Sequence, residues 1–120
     1  MTIQLSTELG KIEIEKEVIA TLAGAVAMEC YGLVGMSSRR AMKDGIADIL
    51  RRENLSRGVE VDNEGKLVEI NLYIIVRYGT KISEVAHIVQ ERVKYAMNKD
   101  LGIDVDRVNI YVQGVRGENS

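Results

Sequence analysis

Only a few residues in this 120-residue chain have types and spacings that could do chemistry. His87 is the single histidine and Cys30 the single cysteine, so a histidine pair, a thiolate metal cluster and an internal disulfide are all impossible within one chain. His87 lies one position off the apolar stripe of its helical stretch, with no Ser or Cys motif nearby in sequence, and is read as a solvated helix residue. Cys30 continues an apolar helix face beside Glu29, a setting that suits a small buried hydrophobe better than a reactive thiolate.

Asp100, Asp104 and Asp106 cluster around Gly102. They lack the fixed ligand series ending in a bidentate glutamate that a calcium loop requires, so they read as a solvated turn. Gly32-Leu33-Val34-Gly35 has the GxxG spacing with which KH domains clamp a nucleic-acid backbone. Its middle residues are apolar, so a helix stop followed by a strand is the better reading. No nucleophile–base pair or ligand set emerges, and neither a cofactor nor a metal is expected.

Two surfaces carry more weight. Tyr73 and Tyr111 fall on the outward side of two alternating stretches, together with Ile75, Arg77 and Gln113. An RRM stacks bases on such a platform, but the RNP1 pattern is missing and basic charge is scarce there. Tyrosines mixed with amides and Ile75 suit a protein interface at least as well. The second surface is the segment 37–58, where Arg39, Arg40, Lys43, Arg51, Arg52 and Arg57 outnumber Asp44, Asp48 and Glu53. Such a run is most often a solvated face. Its sharper meaning is contact with anionic headgroups or an acidic partner.

The elements that position these residues follow from periodicity. Leu67–Tyr78 alternates, with Val68, Ile70, Leu72, Ile74, Val76 and Tyr78 on one face. From Thr80, read as an N-cap, a helical stripe runs through Ile82, Val85, Ala86, Val89, Val93, Ala96 and Met97 to a stop at Gly102; Val108, Ile110 and Val112 then alternate inward. Strand, helix and parallel strand make a crossover unit. Residues 10–36 repeat that grammar weakly. A short strand 11–14 precedes a helix 15–30 with the stripe Val18, Ile19, Leu22, Ala23, Val26 and Ala27, and Gly32 leads into the strand 33–36. Gly24, costly inside a helix, implies close approach to the sheet. Asn63–Lys66 is a hairpin turn and Arg39–Leu55 a short helix covering a sheet edge. The expected fold is α+β, with two main helices on one face of a mixed four- to five-stranded sheet and a weak β-α-β pseudo-repeat. One domain spans 10–115, between flexible ends at 1–9 and 116–120.

Composition limits the functional classes. Net charge is −2, against the basic excess of a general nucleic-acid binder. The aromatic residues are five tyrosines without Phe or Trp, so the core must be aliphatic. No stretch approaches the roughly 20 apolar residues of a membrane span, and the acidic, mixed N-terminus is unlike a signal peptide. A cytoplasmic location is expected.

The pairing of GKIEIEKEVIATLAGAVAMECYGLVGM with LYIIVRYGTKISEVAHIVQERVKYAMNKDLGIDVDRVNIYVQGV resembles the alkaline shock protein family of Gram-positive bacteria, from Gly10 to Val115. The resemblance rests on Gly10-x-Ile12-x-Ile14 before a Val-Ile-Ala helix, the Gly32–Gly35 exit, Tyr78-Gly79, and Val108-Asn109-Ile110-x-Val112. It implies a small α+β cytosolic domain without known enzymatic activity, linked to envelope stress and homeostasis, some relatives self-associating and held at the membrane by an anchor protein. Ending soon after Val115, the sequence looks like the short, housekeeping branch. The expectation is therefore a non-enzymatic interaction module that self-associates or docks on a membrane-anchored partner, using Tyr73, Ile75, Arg77, Tyr111 and Gln113 or Arg39, Arg40, Arg51 and Arg52. A small RNA-binding module is the alternative.

Overall fold

Val68, Ile70, Leu72, Ile74 and Val76, on one side of the longest alternating stretch, are all buried, and the rest of the domain is arranged about them; Tyr78, expected on the same side, lies past the end of the strand and is exposed. The computed structural model describes residues 2–38 and 52–117, except the side chains of 52–54. The alternating stretch is β5, Leu67–Arg77, and it sits at the centre of a four-stranded sheet. β3, Leu33–Met36, and β4, Val59–Glu64, both pair antiparallel with it, β4 against 67–72 and β3 against 74–76. Because β6, Arg107–Arg116, runs parallel along the other side from Glu69 to Arg77, β3 and β4 share one edge of β5 end to end. The sheet is mixed, as expected, with four strands among the described residues.

Helices α1, Lys16–Met28, and α2, Ile82–Ala96, cover the face of Ile70, Leu72, Ile74 and Val76. In α2 the buried residues are Val85, Val89, Val93 and Ala96, as the spacing puts them, whereas Ile82 in the first turn is exposed and Ala86 half-buried. The helix continues through a π turn, Met97–Leu101, which widens it by one residue before Gly102 closes it at φ 69°. The expected Thr80 cap is not made. The N-cap is Lys81, and the Thr80 hydroxyl instead donates to the Arg77 carbonyl at 2.7 Å, closing the turn out of β5.

Three expectations are corrected. Residues 2–7 are not frayed: β1, Thr2–Thr7, pairs with β2, Gly10–Glu15, in a separate two-stranded hairpin, where Ile3 faces Ile14 and lies in the core. The first strand-helix-strand run is consequently not a crossover within one sheet, since β2 belongs to the hairpin and β3 to the main sheet. The buried face of α1 is also rotated, to Ile19, Ala20, Ala23, Gly24 and Ala27, leaving Val18 exposed and Leu22 and Val26 half-buried. The reason is close approach to the 3-10 segment Arg52–Gly58: a Cβ on Gly24 would lie 3.1 Å from the Leu55 Cβ. The neighbour that requires Gly24 is this segment rather than a sheet strand. The helix expected across Arg39–Leu55 falls largely outside the described residues, as do the chain end 118–120 and the residues 39–51.

Candidate interaction surface

The second face of the sheet is built by the alternate residues of the same three strands, and strand register decides which of them meet. Tyr73 lies opposite Tyr111 and Asn71 opposite Asn109 in the parallel pair, while Glu60 lies opposite Asn71 and Asp62 opposite Glu69 in the antiparallel one. The two rings stack with centroids 5.0 Å apart and planes 16° from parallel. The Tyr73 hydroxyl donates to Glu60 Oε1 at 2.7 Å, the Asn71 amide to Asp62 Oδ2 at 3.2 Å, and the Asn109 amide to Asn71 Oδ1 at 2.8 Å. Arg107 comes within 4.0 Å of Glu69.

These polar groups bond one another across β4, β5 and β6. The carboxylates of this face are Glu60, Asp62 and Glu69, with Arg107 beside Glu69.

The expected open face shrinks accordingly. Tyr73 is 5% exposed and Ile75 0%, although both point away from the helices. β5 is flanked on both sides along its length, and the Tyr111 ring lies over Tyr73. Arg77 and Gln113 are half-buried. What remains open is β6, where Tyr111 is 44%, Val112 38% and Val115 41% exposed. Val112 and Val115 were read from alternation as inward or unassigned. Among the described residues β6 pairs with β5 alone, and edge position cannot be inferred from a run of alternating residues. Arg39, Arg40 and Arg51 lie outside the described residues, as does the side chain of Arg52.

A second apolar surface, not anticipated, is a hollow of about 510 Å³ between α1 and the π turn, lined by Val18, Leu22, Ala25 and Leu101 with Glu17, Thr21 and Asp100 around them. The signal that could have found it is the excess of apolar residues on α1 over what one buried stripe can hold.

The remaining motifs take structural roles. Gly32 stands at φ 90°, and a Cβ there would sit 2.6 Å from Val85 Cγ2; Leu33 is buried and Gly35 pairs with Ile75, so the GxxG is a strand entry. His87 is exposed and its Nε2 lies 2.6 Å from Glu91 Oε1, one helical turn on. Cys30 is buried, and desolvation pushes its thiol above the ordinary range, with Glu29 adding to and the Arg92 charge opposing that shift. The Val68 amide donates to Asp106 Oδ2 at 2.7 Å, which ties the entry of β6 to β5, and Asn98 donates to Asp104 at 2.6 Å. Among the described residues no three His, Cys, Asp or Glu side chains are placed to hold a metal ion, and no helix is long and apolar enough to cross a membrane.

An aliphatic core between two helices and a mixed sheet, with a polar network on the opposite face, places the chain among small α+β domains. Residues 4–117 match the model of the alkaline shock protein 23 family, described by a cell envelope-related function. The chain belongs to that family. It is 59% identical to YloU of Bacillus subtilis, an uncharacterized protein, over 99% of each chain. Spy1614 of Streptococcus pyogenes serotype M6, likewise uncharacterized, is 43% identical over 99% of this chain and 100% of its own. A second Bacillus subtilis protein, uncharacterized YqhY, is 32% identical over 92% of this chain and 80% of its own. No solved structure matches the chain.

Proposed function

We propose that this protein is a non-enzymatic interaction module of the cytoplasmic side of the cell envelope, which self-associates and docks on a membrane-associated protein. The observation that carries the reading is the distribution of uncovered apolar surface. Tyr111, Val112 and Val115 lie exposed along one strand, and Tyr111 stands beside polar side chains already bonded to each other. A surface of that composition gains free energy by excluding water against another macromolecule and offers no group to polarise a bond. The matching family's cell envelope-related function supplies the setting. In this reading Tyr111 and its edge are the contact, with Arg77 and Gln113 at its border and Tyr73 and Ile75 supporting it from below. The basic residues Arg39, Arg40, Arg51 and Arg52 are a second contact candidate, toward the membrane-bound partner.

The test is co-sedimentation of the purified, tagged chain with native membranes from a Gram-positive host and, separately, with protein-free vesicles containing phosphatidylglycerol. Retention on native membranes that is lost after protease treatment of those membranes is the expected result. Equal retention on bare vesicles, or no retention on either, would overturn the docking reading.

A further inference from the structure

Helix α1 carries more apolar residues than the core covers. Ile19, Ala20, Ala23, Gly24 and Ala27 pack inward, while Val18, Leu22 and Ala25, spaced i, i+4 and i+7, make a second apolar row on the opposite side of the helix. Val18 is 48% exposed, Ala25 is exposed and Leu22 is half-buried. Leu101 of the π turn meets this row and completes the hollow of about 510 Å³, a size within the roughly 300 to 1,000 Å³ of ordinary ligand pockets. An occupant there takes apolar surface out of water.

The charges around the hollow are of one sign. Thr21 commits its hydroxyl to the Glu17 carbonyl at 2.8 Å. The carboxylates of Glu17 and Asp100 remain, and neither is in an ion pair among the described residues. The lysines next to them in sequence are turned elsewhere: Lys16 lines a different hollow, beside Asp62 and Asp106, and the Lys99 ammonium stands over the Tyr95 ring, 5.8 Å from its centre. Asp100 also lies in the last turn before Gly102, at the carbonyl end of α2, where the helix dipole is negative and a cation is the stabilising charge. The fold keeps an acid there against that preference.

We infer that the hollow takes an amphipathic helix of a different protein. Aliphatic side chains one turn apart on that helix seat on Val18, Leu22, Ala25 and Leu101, and its lysines or arginines meet Glu17 and Asp100. The inference goes beyond the reading above and does not rest on it, since that reading places its contact on the sheet and this hollow belongs to the helix layer.

Charge selects this occupant over the alternatives. A fatty acid or an anionic phospholipid would bring a negative group to two carboxylates and a helix C-terminus. A second copy docking by the same face would set Glu17 and Asp100 against their own like. A helix with basic residues beside its aliphatic row matches both the floor and the rim.

The test is selection on the full chain from a display library of peptides of about 18 residues, long enough to form helices alone. Each peptide has Leu, Ile or Val along one face and either Lys or Glu at the flanking positions. Lys is expected to be enriched, and the selected peptide to bind more weakly as salt rises. Combining Val18→Gln with Ala25→Gln, both at exposed helix positions, keeps the circular dichroism spectrum and melting temperature of the parent. The same pair of substitutions weakens the selected peptide by about tenfold or more. Combining Glu17→Lys with Asp100→Lys reverses the preference toward Glu-flanked peptides. The inference is overturned if no peptide is enriched, if Lys and Glu are enriched equally, or if the selected peptide binds the glutamine variant as tightly as the parent. Decanoate that binds the parent more tightly than the selected peptide does, and is lost in the glutamine variant, would make the hollow an acyl-chain site and overturn it as well.

Discussion

The chain contains two runs of strand, helix, glycine and strand, and they fold into different objects. In the later run, β5 and β6 lie side by side and parallel, with α2 packed on the sheet they form. In the earlier run, β2 turns back on β1 and β3 alone enters the main sheet, antiparallel to β5. The difference lies in strand length and in available partners. β5 has eleven residues, enough for one neighbour along one edge and two along the other, whereas β2 has six and is already committed to β1 through a two-residue turn. A short strand that can close a hairpin locally does so at little loop entropy, and a crossover pairing has to compete with that.

The helix exits differ for a related reason. Gly32, leaving α1, is wedged against Val85 of the other helix, while Gly102, leaving α2, has nothing within 4 Å of the position a Cβ would occupy. One glycine serves packing between the runs and the other only a backbone angle.

Substitutions can break or sharpen this contrast. The largest effect is expected from the core that both runs share: Ile19→Ala, at a fully buried position of α1, should cost about 4 kcal/mol in chemical denaturation. If it costs under about 1 kcal/mol, α1 is not an integral layer of the domain. Gly32→Ala should follow at about 3 kcal/mol, adding a positive-φ penalty to a clash with Val85. Gly102→Ala, with the angle but no clash, should cost only about 1 kcal/mol. Equal costs at the two glycines would remove the distinction drawn between them. Asp106→Ala, which leaves the Val68 amide without its acceptor at the seam between β5 and β6, should cost about 1 to 2 kcal/mol and raise hydrogen exchange at Val68.

The smallest effect concerns Cys30 and pH. Its thiol is raised in the folded chain by burial, so the folded state holds the proton to higher pH than the unfolded state does. The stability this provides is complete below the ordinary thiol value near 9.0 and is lost as pH rises through the folded value. Melting temperatures of the parent and of Cys30→Ala should therefore converge between pH 8 and about pH 10.5. A gap that stays constant over that interval would assign Cys30 a packing role alone.

The second run was legible in detail because its periods are long and clean. Eleven alternating residues, a four-turn apolar stripe and a terminal glycine leave few alternatives, and the structure places Val85, Val89 and Val93 where the spacing puts them. The first run was legible only in outline. Ile3 and Leu5 alternate over too few residues to announce a strand, and the apolar excess of α1 offers more than one face to bury. The candidate surface divides in the same way. Tyr111 is open, whereas Tyr73 and Ile75 carry the same pattern and are buried, because alternation tells which side of a strand a residue is on and nothing about how much of that side is covered.

The amino-acid sequence by itself settled the fold class, the aliphatic makeup of the core, the placement of α2 between β5 and β6, and the absence of a histidine pair or disulfide. These depend on local periodicity and on residue inventory, which do not change on folding. Tertiary structure decided that β1 and β2 leave the main sheet, that α1 buries its alanine and glycine face against Leu55, and that β6 is left at an edge with Tyr111 uncovered. Each of those outcomes is a competition between partners distant in sequence, settled by which pairing buries more surface and satisfies more backbone groups at once.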